Sequence, residues 1–172
     1  VVCKIKKRKR QKMKNIFYFR YLNKIGGIET FFYNLARKYQ KNDITIYYDK
    51  GDKNQIDRLK KYVRTKKYRG EHIKCDKAFF CFNLDIIENV EAKEYCQILH
   101  GDYKAMNILP AMNKKITKYY GVSKLVCDTF KEKTGIEAET LYNPLLIDKP
   151  KKILNLISAT RLTKEKRKRE NY

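Results

Sequence analysis

Residues 23–39 read NKIGGIETFFYNLARKY, and an apolar run at residues 16–19 leads into them. After the Gly26-Gly27 pair, Ile28, Phe31, Phe32, Leu35, Ala36 and Tyr39 recur at the spacing of one helical face. The order is strand, glycine loop, helix. Adjacent glycines admit backbone conformations closed to other residues and leave no side chain between main chain and ligand. Free amides at the helix start, with the positive end of its dipole, suit a phosphate or another anion. The same pair also serves as a plain tight turn.

Working outward, residues 44–48 form a second strand, residues 49–52 a turn, and residues 55–63 a helix with Ile56, Leu59 and Val63 on one side. Residues 64–74 are basic and unpatterned, with Ile73 the one candidate for a short edge strand. Residues 78–82, AFFCF, are apolar without alternation, as in a strand covered on both faces. A short helix is expected at 85–92 and a strand at 95–99, ending at His100-Gly101-Asp102. Residues 103–115 are looser, with Pro110 suited to the first turn of a helix. Residues 116–122 read as a strand. Ser123 caps the helix after it and Gly135 stops that helix. A last short strand at 138–141 precedes an Asn143-Pro144 turn, a polar linker at 149–152 and a fresh strand at 153–158.

Repetition of strand and helix asks for an α/β fold: a Rossmann-like, open, mainly parallel sheet with helices on both faces. Ligands in such sheets bind beyond the carboxyl ends of the strands. Gly26, Gly27, His100, Asp102, Ser123 and Asn143 all follow strands, so one crevice is expected to gather them.

A chain of 172 residues with formal net charge +22 points to anionic partners: nucleic acid, an anionic membrane surface or phosphorylated ligands. Part of the excess is terminal. Residues 1–12 are expected to be upstream or vector-derived sequence outside the fold, since Met13 directly precedes the first strand. They lack the apolar core of a secretion signal, and no run is long enough to span a bilayer. The five cysteines, Cys3, Cys75, Cys81, Cys96 and Cys127, form no CxxC pair and read as thiols of a reducing cytoplasm. No metal or other cofactor is expected.

Gly26-Gly27-x-Glu29 at the first helix, HGD at 100–102, YYGVSKLVCDTF around Ser123, LYNP at 141–144 and SATRLTKEK at 158–166 together resemble the GT-B-fold retaining glycosyltransferases of bacterial surface-polysaccharide type. The resemblance implies an acceptor-side domain at residues 13–148, then a linker and the start of a nucleotide-sugar-binding domain at 149–172. It implies transfer of a sugar from a nucleotide-sugar donor to a glycan or glycolipid acceptor, in the cytoplasm, with the inner membrane face as a peripheral partner. The chain departs from the family where Arg167 replaces the glycine after the motif lysine and where Tyr172 precedes the expected carboxylate pair. This polypeptide alone is therefore expected to be inactive.

By the same resemblance Arg161 and Lys166 would neutralise the leaving diphosphate, and His100 would lie in the cleft beside the transferred sugar. A solvated basic tail and a neutral histidine closing a strand are the structural alternatives. Asp102 would orient His100 or take the acceptor proton, or else make a turn hydrogen bond. Ser123 reads first as a cap, Asn143 as a turn residue and Glu29 as a partner of the helix dipole. His72 reads as exposed. Tyr18, Tyr21 and Tyr103 are candidates for stacking on a sugar. The rival classes are a basic nucleic-acid-binding α/β module, for which no motif is present, and a non-catalytic subunit of a two-chain transferase.

Overall fold

The computed structural model describes residues 14–146, except 25, 41–43, 83 and 107. Among these residues seven strands form one sheet: β1 (Asn15–Leu22), β2 (Ile44–Gly51), β3 (Arg64–Lys67), β4 (Ile73–Cys81), β5 (Val90–Leu99), β6 (Ile116–Gly121) and β7 (Glu139–Thr140). Every pairing is parallel, in the spatial order β3-β2-β1-β4-β5-β6-β7. Helix α1 (Gly27–Lys38) follows β1, α2 (Lys53–Lys60) follows β2 and α3 (Lys124–Thr134) follows β6. The expected open, Rossmann-like α/β sheet is the observed one.

Alternation along β1 sends aromatic bulk to both faces of the sheet. Phe17 and Phe19 pack with Phe31, Phe32, Leu35 and Ala36 of α1 and Leu59 of α2, whereas Ile16 and Tyr18 pack with Ala78, Phe80, Leu84 and Val90. Adjacent residues of β5 separate the helices in the same way: Ile98 joins the α1 cluster, and Leu99 joins Val126 and Phe130 of α3. Helices thus cover both faces. Each fully buried aromatic, such as Phe32, contributes about 1.5–3 kcal/mol by leaving water.

Side chains at the helix ends define the helix limits. Asp52 accepts hydrogen bonds from the amides of Asn54 and Gln55, and Ser123 Oγ accepts one from Val126. Gly135 closes α3 at φ 73°, the left-handed conformation that favours glycine.

Four expectations are corrected. The helix placed at 85–92 is absent: residues 84–89 lack regular structure and β5 starts at Val90, in register with Ile73. A helix that short is marginal by itself, and the bare edge of β4 offers a hydrogen-bond partner at every second residue. Ile73 belongs to the interior strand β4, not to an edge. The edge is β3, whose Arg64, Lys66 and Lys67 are exposed, inside the stretch read as unpatterned. No helix forms around Pro110, and Asn143 lies exposed in the irregular residues 141–146, not in a turn.

Candidate ligand-binding hollow at the switch point of the sheet

From β1 the chain passes through α1 to β2 on one side, and from β4 it passes to β5 on the other. Neighbouring connections that depart in opposite directions leave a crevice at the strand ends. The crevice is present as a hollow of about 420 Å³ lined by Phe19, Arg20, Tyr21, Asn23, Ile28, Glu29, Cys81, Phe82 and Leu84. That volume lies within the usual range for small-molecule sites, about 300–1,000 Å³.

Gly26 is the extended N-cap of α1, at φ −165°, and Gly27 is its first residue. Glu29 follows in the first turn and is buried. Its Oε1 accepts a 3.2 Å hydrogen bond from the Asn23 amide. Its Oε2 lies so close over Gly26 that a Cβ there would stand 2.5 Å from it. A carboxylate of the chain itself therefore sits at the positive end of the helix, the place suited to a phosphate or another anion. Gln55 Nε2 donates to the Glu29 carbonyl at 3.3 Å and ties α2 to this turn.

The corner after β4 supplies another part of the lining. Phe82 adopts φ 59°, unusual for a bulky residue. Its amide donates to the Ile98 carbonyl at 2.8 Å. Gln97, fully buried in β5, donates through Nε2 to the carbonyls of Phe82 and Leu84, both at 3.1 Å.

His100 follows β5 but stands outside the lining of the hollow, edge-on to Phe31 with ring centroids 5.5 Å apart. Burial lowers its pKa from 6.5 to about 4, so the ring is neutral near pH 7, and Nε2 is buried without a hydrogen-bond partner among the described residues. At the next residue, a Cβ on Gly101 would lie 3.7 Å from the Phe82 ring. Asp102 accepts from the amides of Lys104 and Ala105 at 3.0 and 3.2 Å, which makes it a turn residue. Ser123 is engaged as the α3 cap, and Asn143 is exposed. Arg161 and Lys166 lie outside the described residues.

Comparison of the chain with protein-family models, with curated proteins and with solved structures gives no match. The chemistry of the hollow is therefore read from its walls. Of the tyrosines singled out for stacking, Tyr18 and Tyr103 are buried in the core, and the Tyr18 hydroxyl donates to Asp49. Tyr21 lines the hollow and is 54% exposed. His72 is exposed, 3.7 Å from a Glu91 carboxylate oxygen. The described cysteines are free and buried, and burial raises the thiol of Cys75 to about 11 and that of Cys96 to about 12. Among the described residues no cluster of three or more His, Cys, Asp or Glu is placed to hold a metal ion.

Sequence reasoning missed Phe82 and Gln97 and gave Glu29 only a helix-dipole role. A glutamine between Cys96 and Ile98, in an otherwise apolar strand end, is a usable signal, because a buried amide must find partners. Nothing in the sequence marks a phenylalanine for positive φ.

Proposed function

We propose that this chain is the acceptor-side domain of a GT-B-fold retaining glycosyltransferase, which moves a sugar from a nucleotide-sugar donor to a cell-surface glycan or glycolipid. The observation that carries the reading is the hollow where the strand order reverses. Its lining combines aromatic groups, Tyr21 and Phe82, with hydroxyl-binding ones, Asn23 and Glu29. Sugars present apolar faces and hydroxyl edges, and such walls match both. Donor binding falls to residues beyond 149 and to a second domain, in line with the resemblance of SATRLTKEK at 158–166. The working location is the cytoplasm, with the inner membrane face as a peripheral partner. Among the described residues no helix is long and apolar enough to cross a membrane.

One observation favours a second reading, a surface for anionic polymers. The α2–β3 border exposes Lys60, Lys61, Arg64, Lys66 and Lys67, and Arg58 stacks 3.4 Å over the Tyr33 ring. Calorimetric titration with oligosaccharides, nucleotide-sugars and unrelated oligonucleotides separates the two. The transferase reading expects saccharide binding that is insensitive to salt. Oligonucleotide binding with a steep salt slope, and no saccharide binding, would overturn it.

A further inference from the structure

Phe82 is held in its left-handed conformation from two directions. The Ile98 carbonyl receives its amide at 2.8 Å, and Gln97 Nε2 holds the carbonyls of Phe82 and Leu84. Both amide hydrogens of a fully buried glutamine are thus committed to a single corner of the chain, and the paired acceptors fix which way the amide points. Its Oε1 has no hydrogen-bond partner among the described residues. An apolar residue would fill the same space without that penalty, so the clamp answers a requirement of the corner rather than of the core. What the corner presents is one wall of the hollow, Cys81, Phe82 and Leu84. Backbone strain that the surroundings over-determine is characteristic of ligand clamps.

Glu29, in the same lining, limits the ligand. Glu29 places a buried carboxylate at the start of α1, occupying the position an incoming anion would take. Repulsion there disfavours phosphate, whereas a carboxylate accepts hydrogen bonds from hydroxyls.

Resting on the glycan reading above, we propose that Phe82 is the platform on which an uncharged sugar ring stacks, with its hydroxyl edge toward Glu29. Gln97 is the positioning residue that holds the platform in place.

The test is an NMR titration of the isotope-labelled chain with maltose, and separately with inorganic pyrophosphate, for wild type, Phe82→Ala, Gln97→Met and, as a control at an exposed residue outside the lining, Tyr142→Ala. Maltose should shift the signals of Tyr21, Glu29 and Phe82. Phe82→Ala and Gln97→Met should each weaken maltose by about fivefold to tenfold, the scale of one lost aromatic contact, and Tyr142→Ala should leave it unchanged. Without sugar, Gln97→Met should broaden or displace the Phe82 amide signal, a change that mere loss of stability would not confine to one corner. Wild-type affinity in Phe82→Ala would overturn the platform. Unchanged Phe82 signals and affinity in Gln97→Met would overturn the positioning role. Pyrophosphate shifting the same residues in place of maltose would overturn the ligand class. Absence of any maltose-induced shift on wild type, together with no oligosaccharide binding in the calorimetric titration, would instead remove the glycan reading, and the platform with it.

Discussion

The His100 imidazole stands edge-on to the Phe31 ring, with centroids 5.5 Å apart and planes at 84°. Its folded pKa of about 4 lies below the unfolded value near 6.5, so the native ring resists protonation. Above pH 6.5 neither state binds this proton and stability is full. As pH falls from about 6.5 to 4 only the unfolded state takes it up, which removes about 3 kcal/mol over that window and little below it. Chemical denaturation at stepped pH should show this slope in wild type and lose it in His100→Leu. The lysine-paired carboxylates of Asp76, Glu91 and Glu94, whose pKa values are lowered, contribute at more acid pH in both proteins.

Two glycines should respond differently to a methyl group. At Gly121 an added Cβ would meet Cys127 Sγ at 2.5 Å, the Cys127 backbone nitrogen at 3.1 Å and the Ser123 carbonyl at 3.3 Å. Backbone atoms at the start of α3 cannot step aside, so Gly121→Ala should destabilise by about 1–3 kcal/mol. At Gly26 the obstacle is the end of the Glu29 side chain, which can swing away. Gly26→Ala should cost less than about 1 kcal/mol, measured by the same denaturation curves.

Loss of the Phe82 ring can be separated from relief of its backbone. Phe82→Ala and Phe82→Gly both remove the ring and its contacts, but only glycine is at ease at φ 59°. The glycine variant should be the more stable of the two by about 1 kcal/mol, read as a higher melting temperature. Equal stabilities would mean that the corner relaxes out of the left-handed region.

The caps give a graded pair. Ser123 serves one amide of α3, whereas Asp52 serves two amides of α2. Ser123→Ala should cost about 1 kcal/mol and Asp52→Ala somewhat more. Helical circular dichroism during thermal melting checks the order.

The helices with strong apolar periodicity and terminal signals were legible in the sequence, α1 from its Phe-Phe-Leu-Ala stripe and α3 from Ser123 and Gly135. Strand β3 was not, because RTKK has no apolar pattern. It exists because β2 offers backbone partners along its flank, as in the register of Tyr48 with Lys67. The amino-terminal halves of β4 and β5 were hidden for the same reason: their pairing is a property of two segments, each ambiguous alone. At the hollow, the glycines pointed to the right end of the sheet, but the burial of Glu29 and the turn of Phe82 depend on neighbours distant in sequence. His100 was singled out by rarity and position, yet its environment is the aromatic flank of α1, which spacing along the chain does not reveal.

Among the described residues the sheet does not close, and its two margins, where another copy of the chain could add a strand, are protected by different means. On the β7 side the described strand is two residues long, too short a seam to hold a partner. On the β3 side the guard is electrostatic, and ions in solution weaken it. Concentrated salt should therefore favour edge-to-edge self-association through Arg64–Lys67, while dilute buffer keeps the copies apart.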